Sequence, residues 1–398
     1  MPNEIRIKNF RDFVEKVQKL EADTYRHRYV FRGEGKYTGF EKWKLTPKIF
    51  RQMKDSYGKK QIYRESDLID AVISRYPNIF KECKSNLEIL LLMQHYGLPT
   101  RLLDISFNPY IALFFALSGD SSIKEHYVYV IDTEKINEEN NKYESKQGER
   151  QNNGWEAQKS VFDNTVAVIA ALSRLSTTEQ DEIKNLKNNY ESMKKELQKF
   201  VDGNSSTEQS DYNNLKDFVN SKRNNIDPIP YINNYKNMQA AFNAKTLNKE
   251  AWDLILIDVL NSVIENYDVM KNLANKTKYY NPGFDQKIKF EDLDNDYIIR
   301  PHFSNDRIKN QNGGFLLLNA LDKSNNNNVP EKYIDTVWII DLEKGDDDKA
   351  SEVSRQEFLE QLRYMGIDQS FVYPELENFI CTDYLEVVDS TLNNVKGE

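Results

Sequence analysis

The stretch MQHYGLPTRLLDISFNPYIALFFALS, residues 93–118, decides the fold of this chain. It begins polar, turns at Gly97 and Pro99, and passes into an almost uninterrupted apolar run. Asn108 followed by Pro109 is typical of a helix start, because Asn caps the first turn and Pro fits the first helical position. The run after Pro109 therefore predicts a helix that is buried on nearly all sides.

The polar residues of this stretch are candidates for a binding site. The start of the predicted helix presents free N–H groups and a partial positive charge. We expect Thr100, Arg101 and Asp104 in a short loop that leads to Asn108, where an anion would find backbone donors, a hydroxyl and a guanidinium. The alternative is that Arg101 and Asp104 form an ion pair that fixes the loop, and that His95 is a hydrogen-bonded core histidine.

A second cluster is FRGEG, residues 31–35, at the end of a predicted strand over residues 27–33. Arg32 stands directly before Gly33, where its planar guanidinium is well placed to reach a phosphate. The alternative is a structural pairing of Arg32 with Glu34 or Asp104.

Two later segments add further candidates. In RPHFSNDRIKNQNGGFLLL, residues 300–318, Arg307 and Gln311 are four apart and share a face if the segment is helical. The alternative there is a helix-to-strand connection in which Gln311 is hydrogen-bonded. In YPELENF, the carboxylates Glu375 and Glu377 are candidates, and the alternative is that both are solvated at the surface.

The composition of the chain changes between residues 135 and 284. This stretch is rich in Asn, Lys and Glu, and its pattern predicts a series of helices. Strand patterns stand before this stretch and return after residue 290. We therefore predict an α+β domain made of residues 1–134 and 285–398. It has a small mixed or antiparallel sheet with packed helices, and an all-helical insertion at residues 135–284 interrupts it.

The insertion contains a heptad-like apolar seam. Its residues are Ile183, Leu186, Tyr190, Met193, Leu197 and Phe200. Ser176 and Glu179 have the spacing of a capping box before it. Such a seam could pack within the chain, bind a protein partner or mediate self-association.

Composition excludes several classes of function. The 398 residues carry a net charge of −9 and the pI is about 5.3, so we expect no extended nucleic-acid surface, although a local basic pocket stays open. Two distant cysteines and four scattered histidines predict no metal site. The sequence shows no apolar run of about 18 residues and no signal peptide, so we expect a cytoplasmic protein without a membrane segment.

Together the clusters resemble the FRG domain family, which is named for the Phe-Arg-Gly found here at residues 31–33. The family patterns QHYGLPTRLLD and NPxxALFFA match residues 94–104 and 108–116 almost completely. A pattern similar to RIxxQxGxF matches with one extra residue before the glycine. Its matched positions are Arg307, Ile308, Gln311, Gly314 and Phe315. The resemblance covers about residues 1–134 and 285–398.

This resemblance implies a component of bacterial or phage-related conflict systems, such as an antiphage defence effector or toxin. The order of its motifs is similar to that of ADP-ribosyltransferases, in which an early Arg or His contacts NAD, a middle Ser or Thr shapes the pocket and a late Glu guides the reaction. By that likeness Arg32 is the early residue and Thr100 the middle one. Gln311 takes the late position by motif but is not a carboxylate, and Glu375 or Glu377 are the alternatives.

The resulting hypothesis is a phosphate-ligand pocket that uses NAD, without a metal, for ADP-ribosyl transfer or NAD cleavage. The expected catalytic residues are Arg32, Thr100, Asp104 and Gln311. The expected ligand-binding residues are Gly33, Glu34, His95, Arg101, Asn108 and Arg307. The rival hypothesis is a non-catalytic module that senses a nucleotide or binds another protein.

Overall fold

The computed structural model describes a large part of the chain. The described residues are 2–22, 28–35, 45–51, 53–54, 60–61, 64–118, 125–141, 164–188, 190, 265, 267–282, 284, 288, 290, 293, 295–301, 306–319, 328–342 and 348–375. Met193, Leu197 and Phe200 of the predicted seam, and Glu377, lie outside them. No helix within these ranges is long and apolar enough to cross a membrane.

The described strands and helices alternate along the chain. The strands are β1 (Asn3–Ile7), β2 (Tyr29–Glu34), β3 (Met53–Lys54), β4 (Lys60–Gln61), β5 (Leu102–Ser106), β6 (Glu125–Asp132), β7 (Tyr297–Ile299), β8 (Gly313–Leu317) and β9 (Ile334–Asp341). The helices are α1 (Phe10–Ala22), α2 (Glu65–Arg75), α3 (Pro77–Phe80), α4 (Asn86–His95), α5 (Pro109–Leu117), α6 (Thr133–Asn141), α7 (Asn164–Ala171), α8 (177–188), α9 (Asp268–Tyr280), α10 (Asp306–Asn310), α11 (Asp348–Tyr364) and α12 (Gln369–Val372).

Seven of these strands form one open sheet in the order β1-β9-β6-β2-β5-β8-β7, and β3 pairs with β4 separately. The β1–β9 pair is parallel, and the other described pairs are antiparallel. The prediction of an α+β fold with a mixed sheet and packed helices is confirmed. Strands from both sides of the predicted insertion enter the sheet, while the division at residues 134 and 284 stays a prediction.

Residues 93–118 form the end of α4, strand β5 and helix α5. Gly97 follows α4 with a φ of 71°, a conformation that glycine adopts without steric cost. The expected loop between Arg101 and Asn108 is wrong, because Leu102–Ser106 forms a strand that pairs with β8 along its whole length. Five residues with a charge in the middle show too little alternation to predict a strand, and the pairing partner lies two hundred positions away.

The two faces of the sheet are covered differently. On one face α1, α5 and α11 enclose a core with Phe31, Val128, Val130 and Trp338. Val30 lies in the core on the opposite face. Because side chains alternate along a strand, Phe31 and Gly33 face α5, whereas Arg32 and Glu34 leave β2 on the other side.

Helix α5 lies directly on Gly33. A Cβ at this position would stand 1.8 Å from the carbonyl oxygen of Ala112 and 2.7 Å from the amide nitrogen of Ala116. Both are backbone atoms of α5, so no side-chain movement would make room. Gly33 was expected to bind a ligand, but its position shows a packing role, since the glycine lets the helix reach the sheet.

The described helices of the predicted insertion share a core with the rest of the fold. Buried residues of α7, α8 and α9 pack with α4 and with Leu102 and Leu317 of the sheet. The predicted capping box forms, because Glu179 accepts hydrogen bonds from the amide and hydroxyl of Ser176. The described part of the seam is therefore buried within the chain.

Arg101 lies at the base of this core and is completely buried. Its Nε and Nη2 donate to the carboxylate of Glu65 at 3.0 and 2.6 Å, and its Nη1 donates to the carbonyl oxygen of Asn319 at 3.3 Å. The expected alternative, an ion pair of Arg101 with Asp104, is wrong. Glu65 begins α2, so this pair joins α2 to the start of β5.

The first prediction concerns Gly33. Gly33→Ala forces α5 away from β2, and we expect it to lower the free energy of unfolding by about 1–3 kcal/mol or more, the usual cost of overpacking. Gly313→Ala is the matched control, because that strand glycine has its nearest heavy atom at 3.4 Å. Urea denaturation measures both variants. Equal stability of the two variants would contradict the close contact.

The second prediction concerns the buried ion pair. Arg101→Met leaves the carboxylate of Glu65 buried without its partner, so we expect a loss of about 3–5 kcal/mol in the free energy of unfolding. The double variant Arg101→Met, Glu65→Leu removes both charges and should lose less than the single variant. Denaturation curves of the three proteins check this, and a double variant that is the least stable would argue against it.

Candidate functional site

The candidate site lies where strands β2 and β5 separate. The two strands pair at Phe31 and Ser106 alone, although β2 continues against β6 as far as Glu34. Arg32 spans the gap that opens beyond this pair. Its Nη1 donates to the carbonyl oxygen of Asp104 at 2.7 Å.

Arg32 is held by two acidic residues. Its Nε donates to Oε1 of Glu34 at 2.9 Å, and Glu34 is buried with 5% of its surface exposed. The carboxylate of Asp104 lies 3.8 Å from Nη1. Arg32 is thus brought together with both partners that the structural alternative offered, and no described residue accepts a hydrogen bond from its Nη2.

Asp104 has the exposed carboxylate of the group, with 61% of its side chain accessible. Nε2 of Gln94 donates to both of its oxygens, at 3.1 and 3.0 Å. The hydroxyl of Thr100 donates to Oε1 of Gln94 at 2.6 Å, which turns the amide so that its nitrogen faces Asp104. The motif residues Gln94, Thr100 and Asp104 therefore form one chain of hydrogen bonds that ends at an accessible carboxylate.

Thr100 itself is completely buried, and its hydroxyl also accepts a hydrogen bond from the amide of Leu102 at 3.2 Å. The hydroxyl therefore orients Gln94 and does not face the solvent. Gln94 stands in the quoted motif, but sequence reasoning gave it no role. Gln94 and Asp104 are ten positions apart, and the sequence gives no signal for their contact because the end of α4 and the turn at Gly97 separate them.

Arg51 is a further basic residue of the site that sequence reasoning missed. The amide of Ile49 donates to the carbonyl oxygen of Thr100 at 3.3 Å, and Nζ of Lys48 donates to that of Gly97 at 2.6 Å. These bonds lay residues 48–51 along the loop before β5. Burial lowers the pKa of Arg51, and the positive charge of Arg32 lowers it further. No local pattern distinguishes Arg51 from the other basic residues of the chain.

Arg307, Tyr373 and Glu375 form a rim beside Asp104. The guanidinium of Arg307 lies 4.7 Å above the ring of Tyr373, and its Nη1 is 3.7 Å from Oε1 of Glu375. Burial raises the pKa of the Tyr373 hydroxyl; Arg307 opposes the shift, while Asp104 and Glu375 add to it. The expected residues Arg307 and Glu375 thus meet around a tyrosine that sequence reasoning did not single out.

Gln311 and Asn108 support this end of the site through the backbone. Nε2 of Gln311 donates to the carbonyl oxygen of Val372 at 3.1 Å, directly before Tyr373. Asn108 caps α5, because its Oδ1 accepts from the amide of Tyr110 at 2.9 Å. Among the described residues, Arg32 forms no hydrogen bond or ion pair with this first turn.

The remaining candidates of the motif are His95 and Arg101. His95 is exposed at the end of α4, and its ring centre is 5.4 Å from that of Tyr96. The alternative of a core histidine is therefore wrong, and ligand binding by His95 stays a prediction. Arg101 is bound to Glu65 in the interior and has no surface for a ligand.

The part of the chain that the structure describes contains no group of His, Cys, Asp and Glu side chains that could hold a metal ion. We call Arg32, Glu34, Arg51, Gln94 and Asp104 the Asp104 cluster. It combines two arginines with one buried and one accessible carboxylate. Such a set can hold an anionic ligand through the guanidinium groups and place a fixed negative charge beside it.

Comparison with known proteins bears on this region. The model of the FRG domain matches residues 27–125, which include Arg32, Gly33, Arg51 and Asp104. The match ends at the first residue of β6, and the later pattern at residues 307–315 lies outside it. No curated protein and no solved structure matches the chain. Residues 27–125, with the Asp104 cluster inside them, are therefore similar to the FRG domain.

Proposed function

We propose that the Asp104 cluster binds NAD and promotes cleavage of its nicotinamide–ribose bond. The observation that carries the proposal is the accessible carboxylate of Asp104, which Gln94 holds at both oxygens beside Arg32. A side chain fixed in this way does not have to reorganise when charge develops next to it.

The chemistry requires a negative group near the ribose. When the C–N bond breaks, its electron pair leaves with nicotinamide, and C1′ of the ribose becomes an oxocarbenium-like cation. Asp104 would stabilise that cation. Water or a nucleophile of a target then forms the new bond to C1′ and loses a proton, which gives NAD hydrolysis or ADP-ribosyl transfer.

The resemblance to FRG proteins supports a biological setting for this activity. A protein that consumes NAD or modifies a target would serve as an effector in a bacterial or phage-related conflict. The acidic charge of the chain fits a small-molecule or protein target better than a long nucleic acid.

The second candidate is a binding module that holds a nucleotide without cleaving it. The hydrogen bond of Gln311 favours this binding module. The amide at the late motif position donates to the carbonyl oxygen of Val372 and is therefore used to support the backbone. The same cluster would then recognise the ligand and pass binding on to a partner.

The third prediction compares two aspartates. Asp104→Asn keeps the shape of the side chain and removes its charge, so we expect nicotinamide release from NAD to fall by about 10²–10³ fold. Asp67→Asn is the matched control, because Asp67 is 63% exposed and lies 3.7 Å from Arg64, much as Asp104 lies beside Arg32. Mass spectrometry of NAD incubated with each protein measures release.

The outcomes separate the two candidates. Release by the wild type and the Asp67→Asn variant, but not by Asp104→Asn, supports cleavage. An added ADP-ribose mass on a protein would identify transfer. A rise in melting temperature with NAD and no product would favour the binding module, and equal release by all three proteins would rule out Asp104.

The fourth prediction concerns Arg32. Arg32→Ala removes the guanidinium that donates to the buried carboxylate of Glu34, and we expect it to lower the free energy of unfolding by about 3–5 kcal/mol. The double variant Arg32→Ala, Glu34→Gln should recover part of this loss. Chemical denaturation tests the pair. Loss of activity in Arg32→Ala alone would therefore not identify Arg32 as a catalytic residue.

A further inference from the structure

Arg174 is a largely buried cation whose hydrogen bonds are satisfied only in part. It lies in a 3-10 turn, Leu172–Arg174, directly after α7, and 14% of its side chain is accessible. Its Nη2 donates to Oδ1 of Asp70 on α2 at 2.7 Å. Nε and Nη1 are both buried, and no described residue accepts a hydrogen bond from either of them. The contact between this turn and α2 therefore leaves two donors of a charged group unsatisfied.

The unsatisfied donors weaken this contact. A buried N–H without an acceptor has lost its hydrogen bonds to water and gained none in return, and the penalty is larger when the group is charged. If the turn moved away from α2, water would solvate both nitrogens of Arg174. Asp70 would lose little, because 60% of its side chain is already accessible. An open arrangement is therefore easier to reach here than at a fully bonded ion pair.

The helices at this contact also support the Asp104 cluster. Buried residues of α7, α2 and α4 pack in one core. Helix α2 begins at Glu65, which binds Arg101 at 2.6 Å, and Arg101 follows Thr100 in the chain. Helix α4 carries Gln94, which accepts from the hydroxyl of Thr100 and donates to both oxygens of Asp104. Both groups that orient the carboxylate thus depend on helices that pack with α7.

We propose that the contact of Arg174 with α2 is a joint that opens and closes, and that its closed form holds Thr100 and Gln94 where they orient Asp104. The helices after residue 164 then regulate the site without touching a ligand. This inference goes beyond the proposed function, because it concerns the geometry of the carboxylate and applies equally to cleavage and to binding.

Two substitutions at the joint should act in opposite directions. Asp70→Asn removes the charge that faces Arg174, so the closed joint contains an uncompensated cation and opens more often. Arg174→Leu removes the unsatisfied donors and places an apolar side chain against the core, so it favours the closed joint. Asp67→Asn is the matched control, because Asp67 also lies on α2 and is 63% exposed, but pairs with Arg64 at the start of the same helix.

Amide hydrogen exchange of the full-length protein, followed by mass spectrometry, measures opening at residues 94–104. The amide of Leu102 reports on it directly, because it donates to the hydroxyl of Thr100. We expect this segment to exchange about tenfold faster than the wild type in Asp70→Asn, more slowly in Arg174→Leu and at the same rate in Asp67→Asn. Strands β1 and β9, which do not pair with β5, should keep the wild-type rate in all variants.

Three results would overturn the joint. Unchanged exchange at residues 94–104 in both Asp70→Asn and Arg174→Leu would show that the contact does not reach the site. Faster exchange in Arg174→Leu would show that the arginine only stabilises the closed form. An equal acceleration in β1 and β9 would indicate general destabilisation. Hydrogen exchange requires no NAD, so the result stands whether or not the protein releases nicotinamide.

Discussion

The backbone contact between Gly33 and helix α5 is the constraint on which the site depends. It allows an almost wholly apolar helix to lie on the sheet without a layer of side chains in between. The contact fixes which face of β2 points at the helix, and alternation then sends Arg32 and Glu34 to the other face. The three residues of the Phe-Arg-Gly motif thus have three different roles. Phe31 packs in the core, Arg32 places a positive charge where β2 and β5 separate, and Gly33 lets the backbone of α5 approach the sheet.

Two ion pairs of the same region differ in how far they are buried. The pair Arg101–Glu65 is sealed in the interior and joins helix to strand, whereas Arg32 and Asp104 meet at the surface. Arg32 lies within β2 and Arg101 directly before β5, and their local sequences do not distinguish their roles. Burial separates their roles, because a guanidinium that is completely enclosed with a carboxylate has no means of reaching a ligand.

Local pattern predicted the elements with strong periodicity and failed where distant partners decide. Helix α5 follows from Asn108, Pro109 and the apolar run, while β5 exists because β8 pairs with it. Arg32 and Asp104 could be named as site residues from their motifs. Arg51 could not be named, because the hydrogen bonds that place residues 48–51 beside the start of β5 come from a segment with no distinctive composition. The ion pair of Arg101 could not be predicted either, because its partner Glu65 lies 36 positions upstream.

The order of the strands has a consequence for how the protein is made. β6 lies between β2 and β9, and β1 pairs with β9 alone. Until the ribosome has produced residues 334–341, β1 has no described neighbour and one edge of β6 stays open. Sheet completion therefore waits for late synthesis and carries a high loop-closure cost. The matched FRG segment, which ends where β6 begins, lacks the neighbours it needs and is not a unit that would fold when excised.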